Sequence, residues 1–90
     1  MLEKSFKYQL KARAHSLKPV VLLGSKGLTQ AVMDEIEQML LVSELIKIKL
    51  SGVERDERKN VVQTICQSLN AEFIQVIGQI ATIYRKMQDN

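Results

Sequence analysis

Residues 18–29 read KPVVLLGSKGLT, and this stretch decides the fold because it predicts a strand, a loop and a helix in immediate succession. The apolar run from Val20 to Leu23 is typical of an internal strand and predicts one that is covered on both faces. Gly24 and Gly27 bracket a short loop where the chain can turn sharply and where no Cβ separates the backbone from a ligand. Thr29 is a suitable N-cap for the helix that follows.

The loop formed by Gly24, Ser25, Lys26 and Gly27 has the properties of an anion-binding site. The start of a helix offers unpaired backbone N–H groups and the positive end of the helix dipole, and Lys26 adds a full positive charge. A phosphate is therefore the expected ligand. The G-x-x-G pattern alone is weak evidence, since it often serves only a turn. The loop lacks the features of a Walker A or dinucleotide motif, and it resembles the G-x-x-G loop of KH-type RNA-binding modules.

Hydrophobic periodicity along the rest of the chain predicts three helices and three further strands. The first helix runs from about Glu3 to His15, the second starts near Thr29, and the third opens with the charged stretch 54–60. In the second strand Ile46, Ile48 and Leu50 alternate with lysines, which gives one buried and one cationic face. Two final strands, 73–77 and 80–86, flank Gly78-Gln79, which fits a two-residue hairpin turn.

The order α-β-α-β-α-β-β predicts a single α/β domain over residues 1–90. Strands joined through helices favour parallel pairing, and the terminal hairpin adds an antiparallel pair, so the expected sheet is mixed and four-stranded. Right-handed crossovers would pack the helices mainly on one face of this sheet. The sequence leaves the order of the strands in the sheet open.

The composition indicates a cytoplasmic globular protein. Hydrophobic residues make up 46% of the chain and charged residues 26%, which is typical of globular domains. No apolar run has the length of a membrane span, and the amino terminus does not read as a signal peptide. A single cysteine cannot form an internal disulfide.

Charge is distributed unevenly along the chain. The first 27 residues contain six lysines and arginines and one acid, whereas residues 28–45 contain four acids and no base. A basic segment on a nearly neutral body is typical of proteins that bind a polyanion, and nucleic acid is the commonest one in the cytosol. A charged face kept for solubility explains the charge equally well.

Several basic side chains could contact a phosphate backbone. On the first helix, Lys7 and Lys11 share a stripe that lies about 100° from the apolar one. On the second strand, the period of two directs Lys47 and Lys49 to the same side, and Arg85 could act similarly on the last strand. Such groups position a nucleic acid and carry no base-sequence information. For the helix stripe, a solvated face is almost as good an explanation.

Little in the sequence supports catalysis. One histidine and one cysteine are too few for a metal site built from these residues. His15 is expected at the surface near a helix end, and Cys66 is expected to behave as a small hydrophobe. We therefore expect no catalytic residue, no metal, no cofactor and no small-molecule substrate.

Several spaced motifs together suggest a family. Residues 15–29 read HSLKPVVLLGSKGLT, and they are followed by EIE at 35–37, ELIKIK at 44–49, VIG at 76–78 and IYR at 83–85. In this combination the chain resembles the CRM (chloroplast RNA splicing and ribosome maturation) domain family, in particular its stand-alone bacterial YhbY-like members. The resemblance covers essentially the whole chain, and residues 51–59 match least well.

The resemblance implies a fold similar to the C-terminal domain of translation initiation factor three. It also implies RNA binding, with bacterial members associating with precursors of the large ribosomal subunit. The family's conserved loop would map onto residues 24–27. Its basic surface would map onto Lys7, Lys11, Lys18, Lys47 and Arg85, and no function is carried onto Arg55 or Arg58.

These inferences predict a non-enzymatic protein that contacts ribosomal RNA backbone and assists assembly of the large subunit. The predicted contact residues are Gly24, Ser25, Lys26, Gly27, Lys7, Lys11, Lys18, Lys47, Lys49 and Arg85. The alternative is an adaptor that docks on ribosomal or assembly proteins through the acidic face of the second helix, with Asp34, Glu35 and Glu37. An enzyme acting through His15 or Cys66 is a third possibility without support in the sequence.

Overall fold

A computed structural model describes residues 2–87, which form three α-helices and one four-stranded mixed sheet. The predicted order of elements is confirmed. The bounds are α1 (Lys4–Ala14), β1 (Pro19–Leu22), α2 (Gln30–Val42), β2 (Leu45–Lys49), a 3₁₀ turn (Arg55–Glu57), α3 (Arg58–Leu69), β3 (Glu72–Ile77) and β4 (Ile80–Tyr84). The last strand is therefore two residues shorter than predicted. Thr29 caps α2 as expected, because its Oγ1 accepts a hydrogen bond of 3.2 Å from the Val32 N–H.

The strands lie in the order β1-β2-β4-β3. β1 and β2 are parallel, as their connection through α2 requires, whereas β4 runs antiparallel to both of its neighbours. The hairpin turn between β3 and β4 contains Gly78 at φ +57°. A glycine adopts this conformation at the first position of a tight turn without steric cost. The hairpin thus inserts its second strand next to β2.

The main hydrophobic core lies between one face of the sheet and the helices α2 and α3. It contains buried side chains from every one of these elements, among them Val21, Ile36, Ile48, Ile65 and Ile83. Burial of this apolar surface is the dominant source of stability for the fold. Two of the three helices therefore share a face, in agreement with the predicted packing.

α1 packs on the opposite face of the sheet. Its Leu10 and Ala14 are fully buried in a second cluster with Leu45, Ile74 and Tyr84. The ring of Phe6 also meets the ring of Tyr84 edge to face, with centroids 5.5 Å apart. These contacts place α1 over the end of the sheet where β2 begins and β4 ends.

The expectation that β1 is covered on both faces is wrong. β1 is an edge strand, and Val20 and Leu22 are about half exposed while only Val21 points into the main core. α1 does not extend over β1, so the second face of this strand meets solvent. An apolar run is consistent with two-sided burial but does not require it.

Because α1 covers only one end, part of the second face stays uncovered. We call this part the open half of the sheet and define it by Leu22, Lys47, Lys49, Ile77 and Ile80. Side chains alternate between the two faces of a strand. Ile46 and Ile48 face the main core, so Lys47 and Lys49 point to the open half. In the described part of the chain no helix is long and apolar enough to cross a membrane.

Candidate nucleic-acid interface

The loop at residues 24–27 is a β-turn at the carboxyl end of β1. The Gly27 N–H donates a hydrogen bond of 3.0 Å to the Gly24 carbonyl, which closes the turn. Ser25 and Lys26 have negative φ angles, whereas Gly27 has φ +74°. Only glycine adopts this value without strain, so Gly27 is required by the backbone itself.

The turn leaves two backbone donors for a ligand. The N–H groups of Ser25 and Lys26 meet no protein acceptor within residues 2–87, whereas that of Gly27 is used inside the turn. Both side chains are exposed. Adjacent amide donors next to a lysine suit a phosphate oxygen. The free N–H groups at the centre of the loop are therefore those of its two central residues, and Gly27 contributes none.

The segment after β2 supports the loop from behind. The Gly52 N–H donates to the Leu23 carbonyl at 3.0 Å, and the Leu23 N–H donates to the Lys49 carbonyl at 2.8 Å. A Cβ at Gly52 would collide with the carbonyl group of Gly24 and would lie 2.7 Å from the Ser25 nitrogen. Gly52 is therefore part of the loop's support. Sequence reasoning missed it because the residue lies in the stretch that resembles the family least.

The predicted lysines of β2 and α1 lie on one side of the molecule. Lys47 and Lys49 are both on the open half of the sheet. Lys49 pairs with Leu22 at the loop end of β1, whereas Lys47 pairs with Pro19 at the other end of that strand. On α1, Arg13 borders the start of β2, and Lys7 and Lys11 lie on the opposite flank of the buried stripe. The structure therefore brings Lys49 next to the loop and leaves Lys47 on the same face of the sheet, with Lys7 and Lys11 on the helix that packs on that face.

Lys18 and Arg85 lie away from the loop. Lys18 is exposed just before β1, at the end of this strand away from the loop. Arg85 follows β4 on the face that α2 and α3 cover, and it forms a two-pronged ion pair with Glu37 at 2.7 and 2.9 Å. It also donates to the Leu69 carbonyl at 3.0 Å. The Arg85 side chain thus joins α2, α3 and the end of β4 and is not part of the lysine group.

The ion pair changes the acid–base properties of both partners. Hydrogen bonds from Arg85 hold the pKa of the Glu37 carboxyl below its ordinary value, and the same bonds raise the pKa of Arg85. A lowered carboxyl pKa in the folded state adds stability that is fully present above the pKa of the unfolded chain. That contribution is lost as the pH falls through the lower pKa of the folded state.

We expect Glu37→Gln to lower the free energy of unfolding by about 1 kcal/mol at pH 7, since the pair is partly exposed. The difference from the parent protein should shrink on acidification below the ordinary carboxyl pKa. Urea unfolding monitored by circular dichroism at neutral and acidic pH measures both values. Glu35→Gln, at an exposed position of the same helix, is the matched control. An equal loss for the two variants would contradict a specific role of the pair.

A second basic group lies beside the loop and was not predicted. Ser25 shares a cleft of about 430 Å³ with Arg55 and Arg58. Arg58 donates to the Val53 carbonyl at 3.2 Å and to the Gly78 carbonyl at 3.1 Å, so it ties the loop after β2 to the hairpin turn. Arg55 has no such role within the described residues and is exposed. In the sequence this group was not recognised, because acids and bases are mixed over residues 54–59.

Cys66 and His15 lie on opposite sides of the sheet in the described chain. Burial raises the pKa of the Cys66 thiol to about 11, so the thiol stays protonated and is a poor nucleophile at neutral pH. It packs in the main core, as expected for a small hydrophobe. His15 caps the carboxyl end of α1 at the surface. Cys66 is therefore a core residue, and His15 is a surface residue at a helix end.

Comparison with known proteins adds an independent observation. The CRS1 / YhbY (CRM) domain matches residues 2–85, which is nearly the whole chain. The chain belongs to the CRM family. The resemblance seen in residues 15–29 and in the later motifs is thereby confirmed.

The relatives of this CRM domain include small bacterial proteins. It is 40% identical over 85 residues to a probable RNA-binding protein of Pseudomonas aeruginosa, covering 94% of this chain and 82% of the relative. It is 41% identical over 80 residues to an RNA-binding protein of Haemophilus influenzae, covering 89% and 81%.

A solved structure supports the fold. The solution structure of a hypothetical Staphylococcus aureus protein, suggested to bind RNA, superposes with a TM-score of 0.86 at 30% identity. The match covers 100% of this chain and 94% of that one. The four-stranded sheet with its three helices is therefore the CRM fold.

Proposed function

We propose that this CRM domain binds RNA through the loop at residues 24–27 and the lysines of α1 and β2. The observation that carries the proposal is the pair of unpartnered N–H groups at Ser25 and Lys26, next to a face that bears Lys47 and Lys49. The names of the similar proteins of Pseudomonas aeruginosa and Haemophilus influenzae support RNA as the polyanion. The family resemblance favours ribosomal RNA in precursors of the large subunit, whose assembly the protein would assist.

The mechanism is binding by charge and hydrogen bonds, without a chemical step. One phosphate would accept hydrogen bonds from the Ser25 and Lys26 amides, and the Lys26 ammonium would neutralise part of its charge. Lys47, Lys49, Lys7 and Lys11 would lie along neighbouring phosphates. Arg55 could extend this path from the other side of the loop, because it shares a cleft with Ser25. Arg85 has no part in this path, since Glu37 binds it.

Salt dependence tests the proposal directly. Each phosphate that a lysine neutralises releases counterions, so the logarithm of the affinity should fall linearly with the logarithm of the salt concentration. Fluorescence anisotropy with fragments of large-subunit ribosomal RNA, measured over a salt series, gives the slope. Binding that is independent of salt, or no binding at low salt, would overturn the proposal.

Lys26→Ala should weaken binding to all RNA sequences to a similar degree and make the salt slope shallower by about one unit. The fold should be unaffected, because the Lys26 side chain is exposed in a turn. Lys86→Ala, at the far end of the sheet, is the matched control and should keep the parent slope. The same anisotropy series measures both variants. An unchanged slope for Lys26→Ala would remove this lysine from the interface.

The ribosomal target needs an experiment in cells. Crosslinking followed by sequencing of the bound RNA should recover segments of large-subunit precursor RNA, and the Lys26→Ala protein should recover fewer of them. Recovery of unrelated RNAs in equal proportion would leave RNA binding intact and exclude the ribosomal assignment.

The structure weakens the adaptor alternative. Of the three acids predicted for this surface, Glu37 is held by Arg85, and Asp34 accepts a hydrogen bond of 2.9 Å from Gln30. Glu35 is exposed on α2. An adaptor would keep its association with ribosomal particles when the lysines are neutralised and lose it in an Asp34→Asn, Glu35→Gln variant.

A further inference from the structure

One row of side chains crosses the open half of the sheet beside the loop. In the strand register Leu22 pairs with Lys49, Lys49 pairs with Ile80, and Ile80 pairs with Ile77. Residues paired in this way point to the same face. Neighbouring strands are about 4.8 Å apart, so the row extends over about 14 Å across all four strands.

The row is apolar and exposed, which is unusual for a sheet face in solvent. Leu22 is 56% exposed and Ile77 is 65% exposed, and Ile80 between them is partly exposed. Lys49 supplies the only charge in the row, and its hydrocarbon stem can lie against the neighbouring apolar groups. α1 covers the other end of this face and does not reach the row. Exposed apolar side chains that gather on one patch of the surface are typical of binding sites.

The surroundings identify the kind of ligand. Leu22 lies two residues before Gly24, so the row begins where the loop begins. Lys47 lies on the same face, and Lys7 and Lys11 are on the helix that packs on that face, which matches a polyanion. A strand of RNA has a charged backbone on one side and flat apolar bases on the other. Only unpaired bases can turn their faces to a protein surface.

We propose that the row Leu22, Lys49, Ile80 and Ile77 holds the bases of a single-stranded RNA segment whose backbone the loop binds. This inference rests on the proposed RNA binding and adds to it a preference for unpaired RNA. The aliphatic side chains pack against base faces, and Lys49 contacts the backbone that leaves the loop. The contact has little sequence preference, because every base presents an apolar face.

The test compares two double variants. Leu22→Thr, Ile77→Thr removes the apolar surface but keeps residues that strands favour. Its control is Leu41→Gln, Val42→Gln on α2, where the side chains are similarly exposed at 57% and 69% but lie on the opposite side of the sheet. Circular dichroism and thermal unfolding first establish that both proteins fold. The probes are a short mixed-sequence single-stranded RNA and a duplex of the same sequence, both measured by anisotropy.

The strand variant should bind the single strand about tenfold more weakly, because the apolar contact area is lost. Its salt slope should equal that of the parent, since no phosphate contact is removed. Its affinity for the duplex should not change, and the control should bind both probes like the parent. If the strand variant itself does not fold, Ile77→Thr alone should show a smaller loss of the same kind.

Two results would overturn the inference. One is a strand variant that binds the single strand as tightly as the parent does, or that loses the same affinity for the single strand and for the duplex. The other is an altered sedimentation of the protein alone with unchanged RNA affinity, which would assign the row to contacts between copies of the chain. In either case Lys26→Ala still reports on the loop, so the proposed RNA binding stands or falls separately.

Discussion

Gly27→Asp should strongly weaken RNA binding while the domain stays folded. The substitution places a carboxylate in the turn that would otherwise hold a phosphate, and two like charges at about 4 Å repel by about 1–4 kcal/mol between bulk water and a protein surface. The affinity should therefore fall by about tenfold or more. Nothing lies within 4 Å of the position that a Cβ would take at Gly27, so no neighbour is displaced.

The matched control is Gly27→Asn. Gly27 has φ +74°, a conformation that aspartate and asparagine tolerate better than other side chains, so both variants carry a similar strain of about 1 kcal/mol. The two side chains have nearly the same size and differ in charge. Anisotropy should show a much larger loss for aspartate than for asparagine. Equal affinities of the aspartate variant and the parent, with both folded, would show that the loop is only a turn.

Gly52→Ala should destabilise the domain and displace the loop at residues 24–27 from its position next to the segment after β2. The new Cβ would overlap the carbonyl of Gly24, and this neighbour is backbone that cannot rotate away. Forcing an extra carbon into a filled space costs about 1–3 kcal/mol. For a domain of this size, each kcal/mol lowers the unfolding temperature by about 4–8 °C. Thermal unfolding and RNA affinity should both decline.

Gly24→Ala is the informative partner of this variant. A Cβ at Gly24 meets no atom within 4 Å, and the residue does not have a positive φ, so the unfolding temperature should stay close to that of the parent. A loss of RNA affinity in this stable variant would show that the ligand itself approaches Gly24. An unfolding temperature for Gly52→Ala equal to that of the parent would contradict the support that we assign to the segment after β2.

Much of the candidate interface was predictable from local sequence. The turn after β1, the N-cap at Thr29 and the alternation of Lys47 and Lys49 depend on the preferences of a few adjacent residues. Those preferences persist in the folded chain. The positive φ of Gly27 likewise belongs to the turn alone. The order of helices and strands was predictable for the same reason.

Contacts between distant residues could not be predicted in this way. Arg85 and Glu37 are 48 positions apart, and only the packing of β4 against α2 brings them together. The close approach of Gly52 to Gly24 also needs the parallel pairing of β1 and β2. A sequence pattern shows which residues are able to form an ion pair or a close backbone contact. Which of them meet is set by the tertiary structure.

The sequence alone determined the family, the order of elements and the loop with its flanking lysines, because each is written in short patterns of charge, glycine and hydrophobic period. The tertiary structure decided the strand order, the half-exposed edge strand β1 and the position of α1 over only one end of the sheet. These features depend on which apolar surfaces meet, and burial is set by the whole chain. They leave the apolar row beside the loop open to a ligand.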